Sequence, residues 1–162
     1  MKTAVLGFIL PAILASDASA RLGETEAELV RRFGAPVSRT SERITAQGKF
    51  HEIGTGLRFR DGDWTIESTI IDGRCAREAY TKVGEWTEDQ FTTVLNSNAQ
   101  GGKWTRTSKD SMKKAVREWR RDDGATAVWI LRTVTITHPA FDRAKSLAEA
   151  KAKAAAARTP NL

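Results

Sequence analysis

Thr25-Glu26-Ala27-Glu28-Leu29 recurs 62 residues later as Thr87-Glu88-Asp89-Gln90-Phe91. The same offset carries Phe33 to Leu95, Asp61-Gly62 to Asp123-Gly124, and Ile66 to Val128. One constant shift relates both a helix signal and a turn signal, so two units of about 60 residues are expected to share one architecture. Within the first copy, Thr25 reads as an N-cap and Glu28 as its capping-box partner. Leu29, Val30 and Phe33 give a short apolar stripe, and Gly34 with Pro36 ends the helix. In the second copy Thr87 caps, Gln90 answers it, and Trp86 and Phe91 occupy the two staple positions, ahead of a stripe of Phe91, Val94 and Leu95. Helices this short are marginal alone, so a sheet must hold them.

Strand signals follow each helix. Asp61-Gly62 and Asp72-Gly73 both suit two-residue hairpin turns. With Asp61-Gly62 as the turn, Phe59 is predicted opposite Trp64, Leu57 opposite Ile66 and Ile53 opposite Ile70, all on one face. Arg74 to Thr81 reads as a third strand with Cys75 and Ala79 on the buried face; Arg77 would then also point inward. In the second unit, Lys113 to Arg121 reads as one strand and Ala125 to Thr137 as one bent strand or two. Val128, Ile130, Val134 and Ile136 are expected on one face and Ala127, Trp129 and Leu131 on the other. A sheet apolar on both faces is covered on both sides or offers one to a partner, and the last helix is the expected cover. From Pro139 the chain turns helical, with a weak stripe of Phe141, Ala144, Leu147 and Ala148, before an Ala-Lys tract expected to fray.

The fold class is therefore α+β: two tandem units of a short helix on an antiparallel β-meander, with a C-terminal Ala-rich helix. The divisions are residues 1–20, 21–84, 85–138 and 139–162. The first reads as a secretory signal peptide. Met1-Lys2 is a positive start, Ala4 to Ala15 is a 12-residue apolar run, and Ala18-Ser19-Ala20 suits signal peptidase. Twelve apolar residues are too few to span a bilayer as a helix. The mature chain is expected to begin near Arg21, without a transmembrane segment, in the periplasm or secreted. Its one cysteine, Cys75, cannot form an internal disulfide; it reads as a small buried hydrophobe, with a disulfide-linked dimer as the alternative.

Gly23 through Pro36, a glycine, a few residues, a helix and then Gly-x-Pro, resembles the helix pattern of the small outer-membrane assembly lipoproteins. The doubled helix-plus-sheet unit in a small exported protein resembles the beta-lactamase inhibitor protein fold, over roughly residues 22 to 138. Two departures stand out: the inhibitors carry disulfides and the assembly proteins a lipid-bearing cysteine, and this chain has neither. The resemblance implies a non-catalytic module that binds another envelope or secreted protein, and it carries over no contact residues.

Signals for chemistry are sparse. His51 and His138 have no metal-ligand spacing with each other or with Cys75. Asp61, Asp72, Asp122 and Asp123 are accounted for by turns, and Glu26, Glu28, Glu88 and Asp89 by helix starts. No cofactor is expected, and a small hydrolase of unknown type is the least favoured of the three readings. Charge is more informative. The chain carries +6, and Lys103 to Arg121, with eight basic residues and two acids, carries all of it. Lys113, Lys114, Arg117, Arg120 and Arg121, with Trp104, are therefore candidate binding residues for anionic glycan or lipid head groups. Nucleic acid is the least expected ligand in that compartment. The alternative is a charged edge strand that blocks sheet-to-sheet association. Trp129, beside Leu131 on an apolar sheet face, is the candidate for protein docking.

Overall fold

The computed structural model describes residues 21–107 and 116–158. The signal peptide expected over residues 1–20, and with it the leader and cleavage site, lies outside the described residues, as do Lys113 and Lys114. The elements run α1 (Glu26–Phe33), β1 (Ser38–Ala46), β2 (Lys49–Asp61), β3 (Trp64–Ile71), β4 (Arg74–Lys82), α2 (Glu88–Ser97), β5 (Trp104–Arg106), β6 (Val116–Arg121), β7 (Thr126–Ile130), β8 (Thr133–Thr137) and α3 (Pro139–Ala157). The class is α+β, with one eight-stranded antiparallel sheet ordered β1-β2-β3-β4-β8-β7-β6-β5. The last strand of each meander is thus paired with the last strand of the other.

Both short helices start as their sequences dictate. Thr25 accepts from the Glu28 amide while Glu28 reaches back to the Thr25 amide, and Thr87 and Gln90 do the same. Gly34, at φ 78°, ends α1 by donating to the Val30 carbonyl. Both helices lie on one face of the sheet, where Leu29, Phe91, Val94 and Leu95 pack with Leu57, Phe59, Ile66, Tyr80, Val134 and Ile136 into the main core. Burying each large apolar side chain there contributes about 1.5–3 kcal/mol.

The register differs from expectation in ways that trace to single residues. Phe59 pairs with Ile66 and Asp61 with Trp64, so the β2–β3 turn is Gly62-Asp63 rather than Asp61-Gly62. Positive φ falls on Gly62 (54°) and not on Asp63, so glycine takes the first central position. A slip of two keeps Leu57, Phe59, Trp64 and Ile66 on one face. Ile53 departs from them, because the ladder shifts between Glu42 and Arg43 and leaves Ile53 as the extra residue. The neighbouring Gly54 is required there, since a Cβ would sit 2.2 Å from the Ile70 carbonyl oxygen.

A second bulge corrects β4. Ile70 pairs with Cys75 but Thr69 with Arg77, so Ala76 is the inserted residue. The Asp72-Gly73 turn does have two residues, both at positive φ. The bulge sends Glu78 and Tyr80 to the core face with Cys75. Arg77 and Ala79 go to the opposite face, where Arg77 lies 5.5 Å from the Phe141 ring centroid.

That opposite face is covered unevenly. α3 packs across β1 to β4. It begins with Pro139 in its first turn and His138 as its cap, and it stays helical through the Ala-Lys tract to Ala157, with Ala152 buried. Coverage of the whole sheet by this helix, as expected from sequence, is not what forms: its packing is with the first meander.

Candidate docking surface

The segment from Ala125 to Thr137 forms two strands joined at Leu131-Arg132. Ile130 pairs with Thr133, Trp129 with Val134 and Ala127 with Ile136. The expected grouping of Val128 and Ile130 with Val134 and Ile136 is therefore wrong. A two-residue turn puts paired residues on the same face, so Val134 and Ile136 join Trp129 and Ala127 over the core. Val128 and Ile130 face the other way, beside Val116, on the part of the sheet that α3 leaves uncovered.

Leu131 takes the first turn position at φ 54° and is 77% exposed. The left-handed region costs a non-glycine residue about 1–2 kcal/mol. Ile130 is 45% exposed, and Val83, on the segment after β4, is 73% exposed. The turn is held from beneath by two indoles. Trp86 Nε1 donates to the Arg132 carbonyl at 2.9 Å and Trp129 Nε1 to the Leu131 carbonyl at 3.0 Å.

Those indoles belong to a row of rings in which each touches the next. Trp64 and Trp86 meet edge-on at 4.8 Å between centroids. Trp86 and Trp129 follow at 6.2 Å, Trp129 and Phe91 stack at 4.9 Å, and Phe91 and Trp119 lie 4.3 Å apart. Geometry of this kind adds about 0.5–1.5 kcal/mol per pair beyond burial. Arg117 lies 4.6 Å above the Trp129 ring and pairs with Glu88. Around the turn, Trp86, Arg117 and Trp129 on one side and Val128, Ile130 and Thr135 on the other border an open depression of about 830 Å³.

The basic segment does not present a single bank of cations. Alternation along β6 sends Arg117, Trp119 and Arg121 toward α2 and Arg120 to the opposite face. Arg121, expected on a binding surface, is only 2% exposed. It donates to both Asp123 carboxylate oxygens, to the Asn98 carbonyl and to Gln100 Oε1, and lies 5.5 Å from the Trp104 ring centroid. Its guanidinium pulls the Asp123 carboxyl down to about 2. Trp104 is likewise committed, donating from Nε1 to the Leu95 carbonyl at 2.9 Å. The pattern of alternating charge could have signalled this split; the spacing of Arg121 from the Asp123-Gly124 turn is the only hint of its burial.

A polar cluster that sequence reasoning missed lies inside the core. Tyr80 donates to Glu78 Oε2 at 2.6 Å, Asn98 Nδ2 lies 3.4 Å from the Tyr80 hydroxyl, and the Cys75 thiol lies 3.4 Å from Glu78 Oε1. Asn98 Oδ1 also accepts from the Leu22 amide at 2.9 Å, tying the start of the described chain to α2. Burial pushes Glu78 up to about 7 and raises the Cys75 thiol and the Tyr80 hydroxyl further above their usual ranges. Cys75 is buried, as read from sequence, so the thiol is held protonated and shielded. Among the described residues no cluster of His, Cys, Asp and Glu could hold a metal ion, and no helix is long and apolar enough to cross a membrane.

Comparison with models of protein families, with curated proteins and with solved structures finds no significant match.

Proposed function

We propose that this chain is an exported, non-catalytic protein-docking module, built from two copies of one helix-and-meander unit in the manner of the beta-lactamase inhibitor protein fold. Its docking element is the β7–β8 turn, and its partner is another envelope or secreted protein. The observation that carries the reading is Leu131, an apolar side chain held 77% exposed in a left-handed turn conformation. The Leu131 side chain is not among the core residues, and strain of this kind concentrates where a surface is used. On the face that α3 does not pack against, Val116, Val128 and Ile130 lie beside the turn, with Glu118 and Thr135 among them. Two indole bonds hold the tip in place before any partner arrives, which lowers the ordering cost of association.

The doubling is supported by the two matching capping boxes, each followed by four antiparallel strands. Export is supported by the apolar run and the Ala18-Ser19-Ala20 site. Because Arg132, Glu85 and Glu88 all border the depression at Leu131, the partner surface that fits is a shallow apolar socket with charges of both signs at its rim. Binding of anionic polymer through residues 103–121 ranks lower, since Arg121 and Trp104 are occupied within the fold.

The test is affinity capture from an envelope and secreted fraction, with the wild-type chain and the Leu131→Gly variant as paired baits. Glycine relaxes the turn, so the variant folds at least as well. A protein retained by the wild type and not by the variant supports the proposal. Identical retained sets contradict it.

A further inference from the structure

On the α2 side of the sheet, away from the β7–β8 turn, a cleft of about 290 Å³ opens between α2 and strands β3 and β4. Its interior is formed by Trp64, Ile66, Tyr80 and Val94. Ile66, Tyr80 and Val94 belong to the main core, so the floor of this half-open cleft is apolar while its rim is exposed. Cavities of ligand size run from roughly 300 to 1,000 Å³. This one therefore admits a single ring or a short aliphatic chain, and is too small for a peptide segment.

Asp61, at the end of β2, and Asp89, in the first turn of α2, line the same cleft. Both are exposed, and neither has an ion-pair partner among the described residues. The cation nearby is Lys82, whose ammonium lies 5.6 Å from the Trp64 ring centroid and donates to Gln90 Oε1. Two carboxylates against one ammonium leave the mouth net negative, on a chain whose formal charge is +6. An apolar notch with a negative rim selects an apolar body carrying a positive charge.

We propose that this cleft binds a small aromatic amine, its ring inserted between Trp64 and Val94 and its ammonium facing Asp61 and Asp89. The cleft and the depression at the docking turn share no lining residue, although Trp64 also meets Trp86, which supports the turn. No covalent chemistry is involved: the contacts are ring against apolar wall and cation against carboxylate.

Isothermal titration of the purified chain with tryptamine, indole and indole-3-propionate tests the proposal, because the three share a ring and differ in charge. Tryptamine should bind most tightly and indole-3-propionate about tenfold more weakly, a ratio set by the sign of the charge at the mouth. In an Asp61→Asn, Asp89→Asn double variant that difference should shrink to about twofold or less. Thr93→Phe, at an exposed α2 position on the rim, should block the cleft and abolish tryptamine binding, with circular dichroism confirming the fold. Shifts of the Trp64 indole resonance on adding tryptamine would locate the site. Absence of tryptamine binding, equal affinity for all three probes, a charge preference that survives the double variant, or unchanged binding by Thr93→Phe would each overturn the proposal.

Discussion

Trp86 donates its indole N–H to the backbone carbonyl of Arg132, 46 residues away, at 2.9 Å. The bond connects the residue before the α2 cap to the turn between β7 and β8. Trp86 itself is 8% exposed and stands between Trp64 and Trp129. The helix start, the aromatic row and the exposed turn are therefore one mechanical unit.

Trp86→Phe keeps much of the ring area and removes the donor. The Arg132 carbonyl loses a partner, and the variant should lose about 1–2 kcal/mol, read from urea denaturation. Amide exchange at Thr133 and Val134 should rise more than exchange in β2 and β3, because the support lost is local.

Leu131→Gly should stabilise the chain by about 1 kcal/mol, since glycine occupies positive φ without the steric cost that leucine bears. Thermal unfolding should shift upward by a few degrees, on the order of 2–4 °C for a domain of this size. A gain in stability with a loss of partner retention would separate what the residue does for folding from what it does for binding.

Glu78 makes stability depend on pH in a defined direction. Its folded-state value is about 7 against 4.5 for the free side chain, so the native state holds a proton that the unfolded chain releases. Its contribution is complete below pH 4.5 and is lost as pH rises through about 7, with an upper bound of about 3 kcal/mol. Glu78→Gln should flatten that slope between pH 5 and 8 in denaturation measured at each pH. His138, lowered by burial, works in the opposite sense, so the informative quantity is the difference between variant and wild type.

Arg121 and Arg120 are adjacent in sequence and should respond very differently. Arg121→Ala removes the guanidinium from Asp123, the Asn98 carbonyl and Gln100, although Asp123 keeps the Ala125 amide and is partly exposed, and should cost about 2–3 kcal/mol. Arg120→Ala removes an exposed side chain and should change stability by about 0.5 kcal/mol or less. Parallel denaturation curves of the two variants check this.

How much of this was legible from sequence varies with the range of the interaction involved. The helix starts were, because a capping box is local: Thr25 with Glu28 and Thr87 with Gln90 need no distant partner. The sheet faces were legible where alternation was unbroken, as at Leu57, Phe59 and Ile66. They were not legible across Ile53 and Ala76, because a bulge depends on a neighbouring strand that the sequence window does not contain. Leu131 defeated the pattern for another reason. A leucine at a turn position that favours glycine or asparagine carries no turn signal, so the choice between one bent strand and two stayed open and the faces of Val128 and Ile130 were misassigned. The candidate site divided the same way. Trp129 and Leu131 were expected on one apolar face, but Trp129 packs over the core and Leu131 sits in the turn, and the burial of Arg121 and the Glu78–Tyr80 pair rest on contacts across β4, α2 and the β6–β7 turn.

The central claim, that the β7–β8 turn is the surface that meets a partner, is tested most directly by placing a photoreactive leucine analogue at position 131. A second chain carries it at Leu147, which is 57% exposed on α3. Illumination in an envelope and secreted fraction should yield a discrete crosslinked protein from position 131 and not from position 147. No adduct at 131, or the same adducts from both positions, would contradict the claim.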